Sequence, residues 1–516
     1  MGLIGEVNDV KVHVENEVNS SEYDAVLVLS GEGVVLPQVL EDFIIAAQEF
    51  DAALDKEVGV LRCPRVSGAR LVVSPLVPAL LQYADVRTAR EASVAGVKRA
   101  GRAGVRRLLL ALTPLCAARW PRASYAALLA ALEALYVPLQ IREWSPKKRL
   151  HPIERLGVYC EGLWTGEGEV DRVVREAVAV EAGLGLARDL GGADPERMAP
   201  ARFAEFVEKA FAGSAVRVRV DRDSWRERYP LMAAVSRAAD HIDEHRGCVV
   251  YLEYEPETYE ETLMFVGKGV TYDTGGADVK TGGAMSGMSR DKCGAANIAG
   301  LFKVCAGLRP AVKLVGVLGV VRNSVGSRGY VSDELLVSRG RLAVRVGNTD
   351  AEGRMVMADL LHEMAERAAL ERAPHVFTVA TLTGHAARAM GPYTAAMDNH
   401  VARHSGYAHK LAAAGEDLGD MIEVSVVRRE DLAAHRGRGP GDDLLQAAPA
   451  PSTAVPRGHQ GPAAFLLLAS ELHRLPVPYT HLDIAGSAAD LPADPVPATV
   501  LALASVHHIL KHYLLP

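Results

Sequence analysis

Short apolar runs alternate with amphipathic stretches along most of this chain, and that alternation predicts sheets covered by helices. Residues 24–30, 57–63, 70–74 and 105–112 are Val- and Leu-rich runs that read as strands. Helical spacing separates them over 86–102 and 122–136, and 157–163 reads as the last strand of this first unit. The stretch 169–190 repeats Val and Ala at helical spacing and ends at Gly191-Gly192, which predicts one long helix. A second series follows. Pro200 opens a helix to 212, with strands at 216–220, 248–253 and 262–267. Next come a helix over 297–308, a buried strand over 312–321, a helix over 355–370 and a strand over 377–382. The segment 436–462, rich in Pro, Gly and Ala, predicts a long surface loop. A helix over 465–475, a strand over 481–484 and a closing helix over 498–514 complete the series.

Strands that alternate with helices predict an α/β fold. The expected organisation is an N-terminal α/β domain over 1–166, a linker helix over 167–192, and a larger C-terminal α/β domain over 193–516. The larger domain should carry a mixed, mostly parallel sheet. A chain of 516 residues exceeds one ordinary core, which agrees with two domains.

Composition changes the picture only at its edges. Apolar residues make up 49% and charged residues 23%, so the chain is globular rather than disordered. A net charge of −7 argues against a general nucleic-acid surface. Six scattered cysteines, with no CxxC spacing, fit a reducing compartment better than a disulfide framework. The start Met-Gly-Leu-Ile-Gly-Glu lacks the basic and apolar regions of a secretory signal, and no apolar run reaches 18 residues. A cytoplasmic protein with no membrane partner is the expectation.

The chemistry concentrates between Lys268 and Arg354. Lys268, Asp273, Lys280, Asp291, Asp350, Glu352 and Arg354 lie within apolar, glycine-rich sequence. Charges in such a setting are rarely buried unless they pair or bind metal. Hard oxygen donors in this number suit a pair of divalent cations better than one. Asp350 and Glu352, two apart, would share one face of an extended segment. Gly353 would allow close backbone approach, and the following helix would present its positive end. Lys268 and Asp273 would end the strand 262–267 across a glycine-containing turn, where open α/β sheets gather their active sites.

Other features read as ordinary structure. His241 and His245, four apart, could ligate a metal on a helix but fit a surface helix end better. Gly31-Glu-Gly33 is a turn rather than a phosphate loop. The basic run 98–107 is a helix face. His507, His508 and His512 belong to a solvated terminal helix, and Cys293 is a packed thiol.

The central motifs resemble the leucine aminopeptidases, or cytosol aminopeptidases. The likeness rests on Val266-Gly-Lys-Gly-Val-Thr-Tyr-Asp-Thr-Gly-Gly276, Lys280, Met285, Met288, Asp291 and Asn348 to Arg354. Ala380-Thr-Leu-Thr-Gly384 and His481-Leu-Asp-Ile-Ala-Gly486 extend it, so that residues 185–490 are covered. The resemblance implies an enzyme that removes the N-terminal, leucine-like residue from peptides with a free N-terminus. It implies two divalent ions per subunit, Zn2+ or Mn2+, with Mg2+ or Co2+ as alternatives. Asp273 and Glu352 would bridge the ions, Asp350 would complete one site, and Lys268 with Asp291 the other. Lys268 would bind as the neutral amine, which nearby dications favour.

By the same resemblance, Lys280 would stabilise the oxyanion, and Arg354 would hold a bicarbonate that serves as general base. Lys280, Met288, Asp350, Thr381, Leu382 and Gly384 would bind substrate, and the assembly would be a homohexamer. The sequence departs from the family pattern at Lys292-Cys293, Thr378, His385 and Tyr479, and in the loop 436–462. The extra lysine could alter the field at the metals, and His385 could narrow the cleft. Two other readings stay open at this point. One is a narrow metallo-dipeptidase, for example for Cys-Gly; the other is a non-catalytic binding or regulatory protein on the same fold.

Overall fold

The computed structural model describes residues 2–77, 82–116, 118–145, 151–488 and 500–511. The chain divides into two compact units. One comprises Met1–Gly185, Ala413–Asp420 and Leu510–Pro516, the other Leu186–Ala412 and Met421–Ile509. The division falls within the helix Glu169–Gly192.

The first unit is built on a seven-stranded sheet. Its order is Leu3–Val7, Val10–Val14, Arg155–Cys160, Arg107–Leu112, Ala25–Ser30, Arg70–Pro75 and Gly59–Arg62. The inner pairings are parallel, and both edges are antiparallel. The first hairpin was absent from the sequence reading. It closes through Asn8 and Asp9, both at positive φ (53° and 61°), which is the two-residue turn that suits hairpin twist. In the basic run, Arg106 pairs with Glu154 and Arg107 with Asp24, so these two cations are neutralised.

The second unit carries an eight-stranded mixed sheet. Its order is Ile422–Val426, Thr394–Asp398, Tyr479–Asp483, Pro374–Ala380, Thr262–Asp273, Lys313–Asn323, Cys248–Tyr254 and Val216–Asp221. The four central strands, Tyr479–Asp483 to Lys313–Asn323, run parallel. Their side chains are buried on both faces, which explains the near-continuous Val/Leu runs. Gly316 abuts Phe302 and Ile298 of the helix Cys293–Leu308, whereas Gly319 abuts Val356 and Leu360 of the helix Glu352–Ala368. Residues three apart on a strand face opposite ways, so the two helices cover opposite faces of the sheet.

Several expectations are corrected in detail. The strand expected to stop at 267 continues to Asp273 without an intervening turn. The loop 436–462 is partly ordered: Leu444–Leu445 joins a three-stranded sheet with Leu335–Val337 and Ala343–Arg345. The following helix begins earlier than expected, as Gln460–Ala469. His241 and His245 lie in a turn and a short 3-10 segment, not on a helix. His507 is buried rather than solvated, between the Tyr407 hydroxyl at 2.7 Å and Glu261 at 3.0 Å. His512 lies outside the described residues.

Candidate active site

The strand Thr262–Asp273 delivers both Lys268 and Asp273. Residues five apart would face opposite sides of a regular strand. The pairing with Lys313–Asn323 shifts register between Val270 and Asp273, and that irregularity brings both side chains to one site. Asp350 and Glu352 meet differently from the extended arrangement expected. Asp350 sits in a turn, Ala351 caps it (φ −99°, ψ 41°), and Glu352 opens the helix Glu352–Ala368. A carboxylate at a helix N-terminus is stabilised by the unpaired N–H groups there. A Cβ at Gly353 would lie 2.7 Å from Lys268 Cε and 2.8 Å from Leu382 Cδ1, so only glycine fits between them.

Lys268 Nζ contacts Asp291 Oδ1 at 2.7 Å, Glu352 Oε1 at 2.8 Å and the Thr381 carbonyl at 2.8 Å. Lys280 Nζ contacts Asp273 Oδ2 at 2.9 Å and Asp350 Oδ1 at 2.5 Å. Carboxylate oxygens of Asp273, Asp350 and Glu352 lie within 4.8 Å of one another. Four carboxylates face two ammonium groups in a largely buried cluster, which leaves an excess of negative charge. Asp291 Oδ2 and Glu352 Oε2 are buried and accept no hydrogen bond. Oxygen donors left over at close quarters fit hard divalent cations.

The titration pattern expresses the same imbalance. Burial, reinforced by Glu352, pushes Asp273 up to about 7. Burial likewise raises Asp291 and Asp350. Burial also opposes the charge of Glu352, but Lys268 and Lys280 outweigh it and hold this carboxyl below its usual range. For Lys268, burial works against the ammonium, and Asp291, Glu352 and Asp273 more than compensate. Arg354 is buried with its Nε unpartnered and one Nη donating to the Gln446 carbonyl at 3.0 Å. Burial lowers it to about 10, where it still keeps its proton.

A supporting shell fixes these groups, and sequence reasoning missed it. Asp273 Oδ1 accepts from Asn323 Nδ2 at 2.8 Å and from the Gly275 N–H at 2.9 Å. The Gln446 amide oxygen accepts from the Gly347 and Asn348 N–H groups. Its Nε2 donates to the carbonyls of Asn348 and Ala351. Asp278 accepts from the Thr349 N–H at 2.7 Å, and the Tyr330 hydroxyl donates to the Thr349 carbonyl at 2.8 Å. Asp483 accepts from Leu382 N, Thr383 N and Thr383 Oγ1 and so shapes the 381–384 turn. Thr381 Oγ1 in turn donates to Asp291 Oδ1 at 2.8 Å. Asn323 carried a positional signal, because it ends a strand beside Asp273. Gln446 carried none.

The cluster forms the floor of a cleft of about 480 Å³, and Met288, Thr381, Leu382 and Gly384 line it. The departures noted in the sequence resolve individually. His385 is absent from the cleft lining; its Nδ1 turns to His459 Nδ1 at 2.8 Å, so it does not narrow the cleft. Lys292 is buried and donates to the carbonyls of Ala193, at 2.9 Å, and Ser289, rather than to the carboxylates. Cys293 is a packed thiol that burial raises to about 11. Thr378 and Tyr479 belong together, because the threonine hydroxyl bridges Tyr479 OH at 2.7 Å and His481 Nδ1 at 2.6 Å.

An α/β sheet with a carboxylate–lysine cluster at the carboxyl end of its central strands, flooring a peptide-sized cleft, defines a metal-dependent hydrolase. Residues 185–501 match the catalytic domain of the cytosol aminopeptidase family, and the chain belongs to that family. It is accordingly an enzyme of the aminopeptidase type. A Caenorhabditis elegans protein named as an aminopeptidase, W07G4.4, is 41% identical over 85% of this chain and 84% of its own length. A Chlamydia muridarum protein named as a cytosol aminopeptidase is 30% identical over 62% of this chain and 61% of its own length. Among solved structures, the bottromycin maturation enzyme BotP in complex with Mn superposes with a TM-score of 0.76. It covers 94% of this chain and 99% of its own, at 23% identity, and so supports the fold. Among the described residues, no helix is long and apolar enough to cross a membrane.

Proposed function

We propose that this protein removes the N-terminal residue, leucine-like by family resemblance, from peptides with a free N-terminus, with two divalent cations bound in the carboxylate cluster. The observation that carries the reading is the buried excess of carboxylate over ammonium, with unpartnered oxygens on Asp291 and Glu352 facing a cleft. Asp273, Glu352, Asp350, Lys268 and Asp291 would hold the cations between them. When bound, the cations would supply Lewis-acid activation of water and of the scissile carbonyl. Zn2+ and Mn2+ are the leading candidates, with Mg2+ and Co2+ as alternatives.

The protein's own groups divide the remaining work. Lys280 keeps its proton, because Asp273, Glu352 and Asp350 outweigh the burial that opposes its charge. It can therefore donate to an oxygen that becomes negative. Arg354 presents a buried, unpartnered Nε–H, suited to an anion such as bicarbonate acting as general base. The Thr381 to Gly384 turn, held by Asp483, presents the wall along which the substrate backbone lies, and Met288 offers an apolar contact for the leaving side chain. A cytoplasmic homohexamer, with the first unit serving assembly, completes the reading by resemblance.

The test is release of leucine from a leucyl amide by protein stripped with chelator, then resupplied with Mn2+ or Zn2+, beside the Asp350→Ala variant. Metal-restored activity that the variant lacks is the expected result. Silence across a panel of N-terminal residues, in protein shown to hold two metals, would overturn the reading.

A further inference from the structure

The charges that line the cleft are segregated. Four carboxylates line it, Asp273, Asp291, Asp350 and Glu352, and all belong to the cluster on the floor. Beyond the cluster the lining contains no acidic residue, but it contains the guanidinium groups of Arg290, Arg354, Arg438 and Arg457. Arg354 lies deep beside Gln446. Arg457 is engaged by Asp431 through two contacts of 2.6 and 2.7 Å. Arg438 differs from both. It is exposed on the turn before Asp442, and its side chain has no carboxylate partner among the described residues. His435 adds no charge near neutrality, because burial, with help from Arg354, holds it at about 4. The walls between are small and apolar, with Ala447, Ala448, Ala450 and Pro451 among them.

A ligand in this cleft meets a polarised environment. Arg354 is the buried guanidinium of the lining and Arg438 the exposed one without a carboxylate partner, so an anionic group carried away from the carboxylate cluster is stabilised towards Arg438. Low-dielectric walls focus such fields, so an unpaired guanidinium counts for more at a cleft than on open surface. Bound dications would remove the negative excess of the floor and leave the positive lining unchanged.

We propose that the cleft selects peptides that present a carboxylate on the C-terminal side of the scissile bond, and that Arg438 receives it. This rests on the aminopeptidase reading above, in which the scissile carbonyl lies at the carboxylate cluster. The peptide then runs along the cleft towards the exposed part of its lining, where Arg438 lies. Two sources provide the carboxylate: the C-terminus of a dipeptide, or an acidic side chain in a longer peptide.

The experiment compares kcat/KM, in metal-loaded protein, for Leu-Gly against Leu-Gly amide, and for Leu-Gly-Asp amide against Leu-Gly-Asn amide. Wild-type protein should prefer the anionic member of at least one pair by roughly two- to fivefold, the range of an exposed ion pair. That ratio should fall towards one in Arg438→Ala and invert in Arg438→Glu. The first pair reports the terminal carboxylate and the second the side chain. Equal rates in wild type, or a preference that both variants retain, would overturn the proposal while neutral amides are still cleaved. Silence on every substrate, leucyl amide included, would overturn the aminopeptidase reading and this proposal with it.

Discussion

Gln446 and Asn348 exchange two hydrogen bonds: the Asn348 N–H donates to the Gln446 amide oxygen at 3.0 Å, and Gln446 Nε2 returns one to the Asn348 carbonyl at 2.7 Å. With its bonds to Gly347 and Ala351, one buried carboxamide thus fixes the whole turn that presents Asp350. Gln446→Ala should keep the fold by circular dichroism yet weaken metal binding. The expected loss is about 10- to 100-fold, the range for outer-shell supports of metal ligands. A calorimetric metal titration reads it; unchanged affinity would show that the turn holds itself.

Gly353 predicts a second effect. Alanine there would press on a Lys268 side chain already held by three polar contacts. Gly353→Ala should therefore lose metal-restored activity by at least an order of magnitude while the protein remains folded. Wild-type rates in this variant would mean that Lys268 can shift at no cost.

Cation binding should stabilise the protein. At 100 times Kd a ligand specific for the native state adds about 2.7 kcal/mol. Chelator should lower the Tm, and Mn2+ or Zn2+ should restore it. Lys268→Met should be most harmful without metal, because it leaves Asp291 and Glu352 without their shared cation. Breaking one side of such a buried pair costs about 3–5 kcal/mol. Melts with and without metal give both numbers.

Much of the fold was legible because its signals are local and repeated. The strand Lys313–Asn323 announced itself as an unbroken apolar run, and the helix Glu352–Ala368 as a 3.6-residue pattern. The candidate-site charges were legible for a different reason: Lys268, Asp273 and Glu352 are conspicuous in apolar sequence. What sequence could not show is long-range. Gln446 is one neutral amide in a Pro- and Ala-rich segment, and its partners lie nearly a hundred residues earlier. Nor did the spacing of Asp350 and Glu352 reveal a turn-to-helix junction, since two residues apart fits an extended segment equally well.

Acid should destabilise the fold through buried histidines. Burial holds His435 at about 4 and His481 at about 3, against an ordinary value near 6.5. Between these values the unfolded chain binds a proton that the native state refuses. The contribution of these histidines is thus intact above about 6.5 and is lost as pH drops towards 4, by at most about 1.4 kcal/mol per unit for each group. Buried carboxyls raised above their usual range, Asp273 to about 7 among them, contribute with the opposite sign, so the test compares urea midpoints from pH 7.5 to 4.5 in wild type and His435→Gln; identical slopes would contradict it.

The Thr378 hydroxyl makes a prediction about packing. Thr378→Val keeps the shape but strands Tyr479 OH and His481 Nδ1 in the interior. Each unpaired buried group costs about 1–3 kcal/mol. Denaturant unfolding should register the loss, and a neutral result would mean that water enters to replace the hydroxyl.

Asp483 stands more than two hundred residues after Lys268, yet it shapes the turn that supplies the Thr381 carbonyl to that lysine. During synthesis, the acidic ligands emerge from the ribosome long before this carboxylate does. A nascent chain therefore lacks a finished cleft until the strand Tyr479–Asp483 docks between Pro374–Ala380 and Thr394–Asp398. The site's charges and the wall beside them are therefore contributed at separate times, and the cleft exists as a whole only once both have folded together.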